Sequence, residues 1–209
     1  MENNNNSVIK VDIVSGARVV DELMMSDVFV FVLLSWLVVA SAFFNYGEGA
    51  AFTWGVLKLS LVGMFFMGAR ERMKYDRLWG NINMCFVFLF GVFGGVTDIL
   101  GSFGMTINPV VIGITNVYLG GLMLVCVRAV RSNPWTFSLM WLCAAVGVLA
   151  LGLAGLGICS GALTFIGQLL LGAVAVLGTW GLIVFIHGYS GIAMPLGNPV
   201  YKENEKGEN

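Results

Sequence analysis

Long apolar runs leave this chain few ways to fold. They lie at about 27–45, 51–70, 78–97, 109–129, 135–157 and 162–189. A helix rises about 1.5 Å per residue and the hydrocarbon core of a bilayer is about 30 Å thick, so about 20 residues cross it. Every run qualifies, the first barely. In lipid the backbone N–H and C=O groups must find partners inside the protein, so a span is a helix or part of a closed barrel. These runs are continuous rather than alternating, and each is about twice the length of a barrel strand. The expected fold is therefore an all-α integral membrane protein with six transmembrane helices. Composition agrees. The chain is 58% hydrophobic and 11% charged, against about 25% charged in a soluble domain. Its 28 glycines suit helices that approach closely in lipid. A net charge of −1 gives no reason to expect a nucleic-acid partner.

Charge sets the expected orientation. The stretch from Gly68 to Gly80, with Arg70, Glu71, Arg72, Lys74, Asp76 and Arg77, reads as a loop at a membrane surface. Arg128 and Arg131 follow the fourth run, and Lys10, Arg18, Lys202 and Lys206 lie in the tails. The connections at 45–50, 97–109 and 155–163 carry no Lys or Arg. The positive-inside rule then puts both termini in the cytoplasm, and an even number of spans agrees by placing both on one side, with the plasma membrane as the expected location. The chain divides into a cytoplasmic leader at 1–26, a membrane domain at 27–190 and a cytoplasmic tail at 191–209. The leader lacks the apolar core of a signal peptide. Its Asn run at 3–6 reads as disordered, and 11–25 as a short amphipathic helix on the membrane surface.

Chemistry-bearing residues are sparse. No Asp or Glu lies in the middle of a run, and His187 is the single histidine, so a catalytic triad has no materials and no enzyme is expected. The four cysteines lack metal spacing and read as packing residues, with no cofactor or metal implied. His187 reads as a hydrogen-bonded interfacial residue or as a proton relay. Lys58 is the one charge well inside a run. It snorkels or pairs, with Asp98 and Glu48 as candidate partners, or it attracts anions at an outer vestibule. Ser35, Asn81, Asn83 and Ser138 are among the few polar side chains within spans, where such groups bond between helices or line a path. Two amides two residues apart, at Asn81 and Asn83, cannot both face the same neighbour.

Three pieces of sequence resemble a known family. The unit G68ARERMKYDRLWGNINMCF86 has a Gly, a Glu three residues on, a short polar link, an aromatic-glycine step and a polar stretch ending on an aromatic. V117YLGG121 opens the fourth run, and M194PLGNP199 follows the sixth. Together they resemble the acetate uptake transporters, the succinate–acetate permeases of bacteria and the fungal acetate and ammonia-export proteins. The chain departs from that pattern before the first run, where VVDELMMSD replaces an Asn-Pro-x-Pro-Leu-Gly signature. The resemblance implies a hexameric, channel-like homo-oligomer with one pore per protomer. It also implies a hydrophobic gate from Phe31, Phe86 and an aliphatic on the fifth span, Leu142 or else Leu139. Ser35, Asn81, Asn83 and Ser138 would then line the path. Glu71 would pair with a neighbouring Arg or cap the third span, as a structural support.

The leading expectation is a passive or proton-coupled channel or transporter for small monocarboxylates, acetate above all, with succinate or lactate as further candidates. A channel for a small neutral solute such as urea or ammonia is the second reading. A non-transporting membrane scaffold or sensor is the third.

Overall fold

The computed structural model describes residues 26–44, 47, 49–75, 77–130, 134–189 and 195–197. The expected amphipathic helix at 11–25, the Asn run, Glu48, Arg131 and most of the tail lie outside the described residues. Within them the chain is helical, with no strand. The helices are α1 (Ser26–Ala40), α2 (Ala50–Tyr75), α3 (Arg77–Phe86), α4 (Gly94–Ser102), α5 (Pro109–Val130), α6 (Trp135–Gly155) and α7 (Ser160–Tyr189). A π-helical stretch, Val87–Phe93, joins α3 to α4, so Arg77–Ser102 reads as one apolar rod.

Five helices are long and apolar enough to cross a membrane: α2, the Arg77–Ser102 rod, α5, α6 and α7. The described part of α1 has 15 residues, about 22 Å of helix and short of the bilayer core by itself. The boundaries follow local chemistry. Pro109 opens α5 and Pro134 precedes α6, positions where a missing N–H removes no helical bond. The Asn108 side chain accepts from the Val110 N–H at 2.9 Å and caps α5.

One expectation is corrected here. The charged stretch after the second run is helix, not loop: α2 continues to Tyr75 and α3 begins at Arg77. Arg, Glu, Met and Lys are strong helix formers, and they extend α2 past its apolar part.

α1 packs on α7 and α2. α2 packs on α3, the π-helical stretch and α4. α5 packs on α6, and α6 on α7. Small residues permit these approaches. A Cβ on Gly120, from the VYLGG motif, would stand 2.6 Å from the Leu149 backbone nitrogen, so α5 and α6 meet backbone to backbone. The core gathers Val30, Phe65, Phe86, Leu119, Met123, Met140, Trp141, Ala144, Val148 and Val174. Many large apolar side chains point outward, Val125 at 78% exposure and Phe165 at 65%, as a lipid-facing surface requires.

Candidate functional site

The first turn of α1 carries a carboxylate that is sealed from solvent. Asp27 is 1% exposed. Arg72 of α2 grips it with two parallel bonds, Nε to Oδ2 at 2.7 Å and Nη2 to Oδ1 at 2.8 Å. Asn83 of α3 donates its amide N–H to Oδ2, and the Val28 backbone N–H donates to Oδ1 at 2.7 Å. Both carboxylate oxygens are thus satisfied by donors from three helices. A buried charge is tolerated only on such terms. Among the described residues no buried side-chain polar atom lacks a partner.

Local sequence builds this contact. Gly68 has no side chain, and a Cβ there would lie 2.5 Å from the Asp27 nitrogen and from the Ser26 hydroxyl. Ser26 instead donates to the Met64 carbonyl at 3.0 Å. Gly80 plays the same part between α2 and α3, where a Cβ would stand 2.6 Å from the Met73 nitrogen. Both glycines of the Gly68–Phe86 unit are therefore positions of close backbone approach.

Above the carboxylate stands an aromatic stack. The Arg72 guanidinium lies 5.9 Å from the Trp79 ring centre, within cation–π range. Trp79 sits 4.2 Å from Trp141. Phe86 is 6.3 Å from Trp141, 5.4 Å from Phe90 and 6.0 Å from Phe31, with the Phe31 and Phe86 rings only 13° from parallel. The Trp141 indole N–H donates to the Met123 carbonyl at 2.9 Å, which fixes its ring. Between the stack and the carboxylate lies a cavity of about 30 Å³, lined by Asp27, Val28, Phe31, Phe65, Trp79, Asn83, Phe86, Met140 and Trp141. That is room for about two water molecules.

The expected site residues fall in three groups. Phe31, Phe86 and Asn83 come together at the cavity. Ser35 is buried on α1 and donates to the Phe31 carbonyl at 2.8 Å, so its hydroxyl is used within its own helix. Leu142, Leu139, Asn81 and Lys58 lie elsewhere. Leu142 and Leu139 are 40% and 39% exposed, and α6 presents Met140 and Trp141 to the Phe31–Phe86 pair in their place. Asn81 faces outward while Asn83 faces in, as residues two apart on a helix must. Ser138 is half-buried on α6 and does not line the cavity. Lys58 pairs with Asp98 of α4 at 2.6 Å and lies 5.4 Å from the Trp54 ring centre, also away from the cavity. Glu71 is bonded to Lys74 at 2.6 Å rather than to an Arg. Arg72, one residue on, points inward instead and holds Asp27.

Sequence reasoning missed Asp27, Arg72, Trp79, Met140 and Trp141 as site residues. One signal was present: Asp27 closes the VVDELMMSD segment, where the chain departs from the pattern it otherwise resembles.

At the same end, Pro195–Gly197 lies across α6 and α7. Thr136 donates to the Leu196 carbonyl at 2.8 Å and the Trp180 indole to the Pro195 carbonyl at 3.1 Å. Gly197, at φ +82°, rests on the Trp135 indole, where any Cβ would overlap the ring. His187 lies 2.9 Å from the Ile183 carbonyl through Nδ1. Compared with known proteins, the chain matches no family model, no curated protein and no solved structure.

Proposed function

We propose that this chain is a membrane channel or transporter for small monocarboxylates of the size of acetate, moved passively or with a proton. The supporting observation is the Phe31–Phe86 stack beside a small, mainly apolar cavity whose lining also includes Asn83 and Asp27. A solute passing the rings sheds water, then regains hydrogen bonds at Asn83. A carboxylate pays far more than its neutral acid for that desolvation, so acid on the outer side favours uptake. In this reading α1 is the sixth span, both termini are cytoplasmic in the plasma membrane, and the protomers form a hexamer. The rings act as a hydrophobic gate, with Met140 and Trp141 in the place first expected of Leu142.

Uptake of radiolabelled acetate into proteoliposomes tests this. Uptake should rise as the external pH falls, and Phe86→Ala should increase it by widening the constriction. Acetate uptake indifferent to both changes would sink the gate and the proton coupling together.

One observation favours a neutral solute instead. The Asp27 carboxylate at the cavity is already neutralised by Arg72, which leaves no spare positive charge for an anion and suits urea or ammonia. Stopped-flow volume changes of the same liposomes in urea and in acetate separate the two substrates.

A further inference from the structure

We propose that the Asp27 pocket is a carboxylate-exchange site, in which Arg72 and Asn83 form a receptor for a small carboxylate and the Asp27 side chain occupies it as a tethered surrogate. The inference rests on the monocarboxylate reading and names the residues that would hold the substrate.

The donor set argues for it. A bidentate guanidinium, a side-chain amide and a helix-start N–H converge on one carboxylate, an arrangement selective for that group's planar shape and charge. Asp27 and Asn83 both line the cavity. The cavity of about 30 Å³ holds about two water molecules, so an entering carboxyl group takes the receptor only as the Asp27 side chain withdraws from it.

Exchange conserves charge. One buried Arg neutralises one carboxylate, so two anions cannot share it. An acid entering as RCOOH transfers its proton to Asp27. The new carboxylate takes the Arg72 fork, and Asp27 turns aside as a neutral acid. One O–H bond breaks, on the entering acid, and one forms, on Asp27. The charged and titratable groups on the helices packed against α1 at this end are Arg70, Glu71, Arg72 and Lys74 of α2 and His187 of α7. Glu71 and Lys74 pair with each other, and among the described residues Arg72 makes the ion pair with Asp27.

The test is chemical rescue of the full chain in detergent micelles. Asp27→Ala leaves Arg72 buried without its carboxylate, so the variant should melt below wild type. Acetate should restore much of the loss, while acetamide and matched chloride should not. Asp27→Ala combined with Arg72→Met should show no acetate response. Acetate no better than chloride, or equal rescue of the double variant, overturns the proposal. Should Asp27→Ala fail to fold, Asp27→Asn serves: carbon-13 acetate should bind it about tenfold more tightly than wild type, because the internal competitor is gone. Equal or weaker binding also overturns it. Wild-type acetate flux into liposomes is read beside this. Rescue without flux removes the transport reading and leaves the site, whereas flux without rescue does the reverse.

Discussion

Asp27 and Arg72 are 45 residues apart in sequence and bonded through two atoms each. Their burial sets an asymmetric expectation. Arg72→Met should lower stability by about 3–5 kcal/mol, because it strands a buried carboxylate. Adding Asp27→Leu should return most of that loss, since an apolar pair of similar volume is often as stable as a buried ion pair. Thermal unfolding of both variants in the same detergent checks the order, and a double variant less stable than Arg72→Met would contradict it. Neither residue announced this role in the sequence. Asp27 is the first residue of the first apolar run and reads as its polar edge. Arg72 stands among three other basic residues and reads as part of a topological marker. Their meeting depends on Gly68, whose bare Cα lets α1 start against α2. Nothing in local propensity encodes that encounter.

Among the elements, apolar run length was a sound guide to helices, because in lipid a span has little alternative to helix. The expected starts at 51, 109 and 135 fall on or next to the observed starts of α2, α5 and α6 at Ala50, Pro109 and Trp135. Helix ends were less legible, since charged helix formers carried α2 through a stretch that hydropathy reads as loop. The π-helical stretch Val87–Phe93 was not legible at all, as its apolar sequence suits either pitch. It begins directly after Phe86 and contains Phe90, the two rings 5.4 Å apart. A π-helical turn accommodates an extra residue within an α-helix and often marks functional positions. Deleting Phe88, which is exposed, should therefore restore the α pitch with the flanking helices still in register. Helical content by circular dichroism should stay unchanged while acetate flux changes, because Phe86 and Phe90 lose their alignment. A deletion that unfolds the protein would show that the stretch holds the bundle together.

For the whole molecule, the proposed orientation makes a prediction about cysteines. Cys159 is free, exposed and located in the connection between α6 and α7, on the side assigned to the outside. Cys85, Cys126 and Cys143 lie within helices. A membrane-impermeant maleimide should label Cys159 in intact cells, and a Cys159→Ser variant should lose the label. Labelling that appears only after permeabilisation would invert the topology.

The geometry at Asp27 also bears on biosynthesis. Its partners Arg72 and Asn83 are translated 45 and 56 residues later. A translocon handling the first apolar run thus meets a helix of 15 described residues whose terminal carboxylate has no counter-ion yet. The bonds to Asp27 from Arg72 and Asn83 can form only after α2 and α3 have been made. The final seating of α1 is then a late step, completed when the ribosome has moved well past it.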